Sequence, residues 1–110
     1  MFMNDQEQKM EELFTELNSL IEEITDKEIA LYQWKELYEI KSEEIIKHTD
    51  FKELYGKNNA EVRKTHVRNK LTDWYDTIKE LEFSINYLNR RISFLKLLLN
   101  YHIRITGQVD

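Results

Sequence analysis

The 110-residue sequence has no cysteine and no proline, and only two glycines, Gly56 and Gly107. Without cysteine there is no disulfide framework and no thiolate chemistry, which suits a reducing cytosol. Without proline, and with both glycines where long helices would end, nothing punctuates the helix interiors. Apolar runs are short. Leu97-Leu98-Leu99 falls far below the ~20 residues that a membrane-spanning helix needs. The N-terminus shows no basic segment followed by an apolar run, so no secretory signal is visible. These absences give no sign of a disulfide framework, of thiol chemistry or of a membrane-spanning helix, and the expectation is a soluble intracellular protein.

What the chain does have is a heptad rhythm. Met10, Leu13, Leu17, Leu20, Ile24, Leu31, Trp34, Tyr38 and Ile45 fall on one seam. Val67, Leu71, Trp74, Ile78, Leu81, Ile85, Leu88, Ile92, Leu95 and Leu99 fall on a second. Residues three and four apart share one face of a helix, so each series lays an apolar stripe along one helix. The spacing predicts an all-α chain, an antiparallel helical hairpin (coiled coil) of two long helices with a short connecting helix. Residues 1–110 form a single helical domain in this reading, with helices at about 5–48 and 59–104, a connector at about 49–58 and a frayed tail at 105–110.

The predicted boundaries rest on capping chemistry. Asn4 with Glu7 three residues on opens the first helix, and Asn58 with Glu61 opens the last. Thr49-Asp50 precedes the short segment Phe51–Tyr55, which Gly56 can end in a left-handed conformation. Thr25 with Glu28 repeats the cap pattern and Lys27 occupies a seam position, yet the first helix is expected to continue through residues 25–27. With the turn centred near residue 54, facing positions sum to about 108. That sets Trp34 against Trp74, Tyr38 near Leu71, and Leu13 and Leu17 near Leu95 and Ile92.

Charge is unevenly divided. Residues 1–50 hold 5 Lys/Arg against 14 Asp/Glu, and residues 51–110 hold 11 against 7. An acidic helix folding against a basic one accounts for this, since charges beside a helix seam select the pairing. On that basis Arg91 should face Glu16, and Arg63, Arg68 and Lys70 should face Glu39, Glu43 and Glu44. The cluster Arg63, Lys64, Arg68 and Lys70 is also the best candidate for nucleic-acid contact, which requires several of these charges to be free together.

A second apolar stripe lies on the side of the last helix away from the seam. It comprises Phe83, Tyr87, Phe94, Leu97 and Tyr101, with Arg90 in the same row. A lone hairpin would leave this face in water, and contiguous exposed apolar surface marks an interface. These six residues are the expected partner or dimer interface, and two hairpins joined through them make a four-helix arrangement.

Signs of catalysis or metal binding are weak. His48 and His102 fall on seam positions at opposite ends of the hairpin and cannot share an ion, and the Glu-x-x-His pairs of bundle metal sites are missing. The three histidines are expected at helix ends or partly exposed. The carboxylates, such as Glu11-Glu12, Glu22-Glu23 and Glu43-Glu44, run along solvent-facing positions, where none is desolvated as a catalytic acid must be. There is no glycine-rich phosphate loop and no nucleophile in a recognisable setting. The expectation is no enzyme, no metal and no cofactor.

The block KNNAEVRKTHVRNKLTDW from Lys57, followed by ELEFSINYLNRRISFLKLLL, resembles small helical proteins encoded among the early genes of Gram-positive bacteriophages. The likeness covers the second half of the chain. It implies a cytoplasmic accessory protein of the bacterial host cell, acting on phage DNA metabolism or on a host system. The expected function is a homodimeric, non-enzymatic interaction protein that binds and inhibits a host protein such as a nuclease or defence complex. Acidic rows such as Glu22-Glu23-Asp26 and Glu36-Glu39-Glu43 could there compete for a DNA-binding groove. A nucleic-acid-binding accessory factor in replication or recombination is the alternative, and a structural coiled-coil spacer the third reading.

Overall fold

The computed structural model describes residues 4–107, and every regular element among them is helical: α1 (Asp5–Lys47), α2 (Phe51–Tyr55), α3 (Ala60–Lys70) and α4 (Thr72–Gly107). Two compact units divide this chain. One takes α1 up to Glu28 with α4 from Phe83 onward, and the other is Ile29–Glu82.

α1 begins as its cap predicts. The Glu7 amide donates to Asn4 Oδ1 at 2.7 Å, and Asn4 Nδ2 donates to Glu7 Oε1 at 3.4 Å. The helix runs unbroken through residues 25–27 because the Thr25 hydroxyl bonds the Ile21 carbonyl at 2.8 Å rather than capping a new start. With 43 residues it is roughly 65 Å long.

In the first unit α1 lies antiparallel to α4. Gln6 bonds His102, and Glu16 pairs with Arg91. Leu17 and Ile24 from α1 are buried with Ile85, Leu88, Ile92, Leu95 and Leu99 from α4. All are seam residues, so the four-three spacing located this core.

In the second unit Trp34 and Trp74 meet edge to face, with centroids 4.9 Å apart at 62°. The expected register is therefore formed at this layer. Lys41, a charged residue on the seam, places Nζ 4.9 Å from the Trp74 ring, which accommodates its ammonium there. Tyr38 reaches Tyr75, with centroids 6.5 Å apart. Burial raises the Tyr38 phenol above its ordinary pKa, Tyr75 adds to the rise, and the Arg68 guanidinium opposes it. Glu82 receives Lys35 and Lys79, both at 3.4 Å. Burial pushes its carboxyl up, but these two ammonium groups outweigh that and leave its pKa lowered.

The connector is α2 as predicted. The Glu53 amide donates to Asp50 Oδ1 at 3.1 Å, and Gly56 ends the helix at φ 73°, its amide bonded to the Lys52 carbonyl. An L side chain rarely adopts that φ, which is why glycine stands there.

Three expectations need correction. The last helix does not run unbroken from about residue 59. Leu71, at φ −113° and ψ 37°, separates α3 from α4. There the Thr72 hydroxyl donates to the Arg68 and Asn69 carbonyls, at 3.2 and 3.0 Å. The Leu71 amide still bonds the Val67 carbonyl and the Tyr75 amide the Leu71 carbonyl, both at 2.9 Å, so the interruption is confined to the backbone of Leu71. The N-cap of α3 is Asn59, not Asn58. Asn59 has the extended backbone of a cap and accepts the Val62 amide at 2.9 Å, while Asn58 Oδ1 is occupied by Arg63 Nη1 at 2.8 Å. Finally, α4 continues through Gly107, past the predicted end at 104. Residues 108–110 of the expected tail lie outside the described residues.

Candidate interaction surface

The outer row of α4 faces solvent. Phe83, Tyr87, Phe94, Leu97 and Tyr101 are between 50% and 75% exposed, and Arg90, between Tyr87 and Phe94 in the row, is exposed too. All six belong to the first unit. They are exposed for a geometric reason. The α4 seam is filled by α1, and the row lies on the opposite side of the same helix, out of reach of α1 side chains. Single exposed apolar residues are ordinary, but five on one continuous row are not.

The two neighbouring arginines differ sharply. Arg91 donates to Glu16 Oε1 from Nη2 at 2.8 Å and from Nε at 3.2 Å, and its Cζ stands 5.7 Å from the Phe94 ring centroid. It fixes one flank of the row, as expected from its place beside the seam. Arg90 forms no ion pair among the described residues. At the far end, Tyr101 meets His102 edge to face, with centroids 5.6 Å apart at 73°. His102 is held by Gln6, whose amide donates to Nδ1. Residues 83–107 carry four cations and no carboxylate, whereas residues 4–28 carry nine carboxylates and two cations.

The second candidate cluster lies on α3. It comprises Arg63, Lys64, Arg68 and Lys70; Arg63, Arg68 and Lys70 were expected to pair with Glu39, Glu43 and Glu44, and among the described residues none of these ion pairs forms. Arg63 bonds Asn58, and Arg68 lies 4.4 Å from the Tyr75 ring centroid. Tyr75 offers the Arg68 guanidinium a π face close in sequence, and Asn58 offers Arg63 an amide oxygen, so neither reaches across to α1. Helical geometry sets Arg63 and Lys70 to one side of Val67 and Lys64 and Arg68 to the other. The fold therefore makes two separate pairs of cations instead of one patch.

His66 corrects the expectation for the histidines. It is buried, with Phe51 and Tyr55 packed edge to face on its ring at 5.3 and 5.6 Å and its Nδ1 hydrogen-bonded to the Tyr55 hydroxyl. Its neighbours come from α2, so no periodicity within the last helix announces the burial. The available signal was the matching four-residue spacing of Phe51 with Tyr55 and of Val62 with His66. A shallow pocket of about 230 Å³ opens beside it, lined by Tyr55, Lys57, Val62 and His66 among others. Among the described residues no three His, Asp or Glu side chains converge as a metal site requires. No described helix is long and apolar enough to cross a membrane.

No protein-family model, curated protein or solved structure matches this sequence.

Proposed function

We propose that this chain is a non-enzymatic helical interaction protein that docks another protein on the outer row of α4. The observation that carries this reading is the exposure of five large apolar side chains in one row, flanked by an arginine fixed by Glu16. Burying such side chains against a protein partner releases ~25 cal/mol per Å² of apolar surface, and aromatic and arginine side chains dominate interface energetics. The phage resemblance of the second half supplies the setting: a phage product in the bacterial cytoplasm whose target, beyond a further copy of itself, is a host nuclease or defence complex that it inhibits.

The test compares wild type with Phe94→Glu/Tyr101→Glu, which places two unpaired carboxylates in the contact. Sedimentation velocity measures self-association, and a photo-crosslinking residue at Leu97 reports foreign protein adducts in host extract. The expected result is a complex of one kind or the other in wild type that the double variant loses while staying helical. Identical sedimentation and identical adducts for the two proteins would overturn the reading.

One observation favours a nucleic-acid reading as the second. Lys64 and Lys70 have no carboxylate partner among the described residues, so their charges are free for phosphate. The division of the α3 cations between two sides weakens it, because phosphate affinity grows with the number of cations engaged together.

A further inference from the structure

Any partner that covers the outer row of α4 meets a positive charge in its middle. Read at every seventh residue, the row is two columns. Tyr87, Phe94 and Tyr101 form one, and Phe83, Arg90, Leu97 and Arg104 the other. All seven are exposed, and all lie in the first unit. Arg90 stands between Tyr87 and Phe94, so burying those two rings takes its guanidinium out of water. Arg104 closes the row one turn beyond Tyr101. Neither arginine forms an ion pair among the described residues. Their own helix cannot relieve them, because residues 83–107 hold no carboxylate. An unpaired buried charge is costly, so the partner must bring the acceptors.

The seam side of α4 shows how such a charge is met. There α1 brings Glu16, and Arg91 donates to its Oε1 from Nη2 at 2.8 Å and from Nε at 3.2 Å, beside the Phe94 ring. α1 is thus an acidic helix whose apolar seam packs on α4 with a carboxylate at its flank. A second helix of that kind fits the outer row, whose steps of three and four suit the stripe of an amphipathic helix. Arg90 and Arg104 are 14 residues apart, or about 21 Å along the axis. The matching carboxylates stand about four helical turns apart.

Charge also selects among the occupants. The α4 of a second copy would bring cations to cations. The α1 of a second copy has the carboxylates, but in this unit Phe14 and Ile21 are its only exposed large apolar residues among those described. Its seam is turned to its own α4. A lipid surface suits a helix whose cations flank the apolar stripe and keep their heads in water. Arg90 interrupts the stripe instead.

We propose that the outer row of α4 receives an acidic amphipathic helix of a different protein, with carboxylates about four turns apart on Arg90 and Arg104. The inference rests on the docking reading above and gives the chemistry of its partner.

The test uses two labelled synthetic helices of about 28 residues, long enough to hold helical structure in water. Both carry a leucine stripe on an otherwise uncharged, alanine-rich helix. Beside the stripe, at two positions spaced as Arg90 and Arg104 are, one has Glu and the other Lys. Fluorescence anisotropy follows their titration with the full chain to about 200 µM. Wild type should bind the Glu peptide about tenfold tighter than the Lys peptide, or more, since facing like charges are costly. Arg90→Glu/Arg104→Glu, equally helical by circular dichroism, should reverse that order. A wild type without the preference, or a preference that this variant leaves unmoved, would overturn the inference. So would tighter binding to a single strand of about 15 thymidines than to the Glu peptide, or self-association that Phe94→Glu/Tyr101→Glu abolishes. If both peptides bind alike and Phe94→Glu/Tyr101→Glu loses both, docking on the row stands and only the acidic partner falls. If neither binds, the acidic partner falls, and the adducts in host extract decide the docking reading.

Discussion

Two residues carry the second unit's packing in different ways. Trp74 has Trp34 against its edge and Lys41 over its face, yet it is only half-buried. Trp74→Ala should therefore cost about 2–4 kcal/mol, somewhat less than a fully enclosed tryptophan, as measured by urea unfolding. A near-neutral result would mean that this layer does not hold α1 to α4. His66 depends instead on one hydroxyl. Tyr55→Phe keeps the aromatic packing on Phe51 and His66 and removes only the partner of Nδ1. The expected loss is about 1–2 kcal/mol, the cost of leaving a buried polar atom unpaired. If the loss is negligible, water reaches His66 Nδ1 from the adjoining pocket.

At the scale of helices, the ends carry the most testable chemistry. Asn59→Ala should cost about 1 kcal/mol, while Asn58→Ala should stay within about 0.5 kcal/mol, because only Asn59 caps α3. Equal losses would show that both conformations of the turn are populated. A Cβ added at Gly56 meets no atom within 4 Å. Gly56→Ala should therefore cost about 1–2 kcal/mol through backbone strain alone, readable in thermal unfolding. Glu82 links α1 to α4 through Lys35, and its pKa is lowered in the fold. A depressed carboxyl contributes stability above its unfolded pKa and loses it as pH falls through the folded one. Stability should thus fall on acidification below about pH 4.5, and Glu82→Gln should make that fall shallower. The effect is small because the pair is partly exposed. An identical pH profile in the variant would assign the acid loss to other carboxylates.

For the whole molecule, net charge is −5, and α3 divides its cations between two sides of the helix. Neutralising Arg63, Arg68 and Lys70 to Gln should change stability by less than about 1 kcal/mol, chiefly through loss of the Arg68–Tyr75 contact. Their expected ion pairs with Glu39, Glu43 and Glu44 are not there to be lost. DNA affinity at about 150 mM salt should be weak for both proteins. Tight wild-type binding whose salt slope drops by up to about three phosphate contacts in the triple variant would promote the nucleic-acid reading above protein docking.

Helix type, helix pairing and the position of the core were legible in the chain because they follow from local spacing. Alternation of three and four puts Leu17, Ile24, Ile85, Leu88, Ile92, Leu95 and Leu99 on seams whatever else the molecule does. A connector near residue 54 then sets Trp34 on Trp74 and Arg91 on Glu16. The outer row was legible for the same reason, as the side of α4 left over once its seam is occupied. What the spacing could not determine were choices between competing partners. Asn59 rather than Asn58 became the cap because Arg63 occupies Asn58. Arg68 turned to Tyr75 instead of an α1 carboxylate, and His66 was enclosed by α2. Periodicity belongs to one helix, whereas each of these outcomes depends on which of several nearby groups a side chain can reach, and that is set only when the elements are assembled.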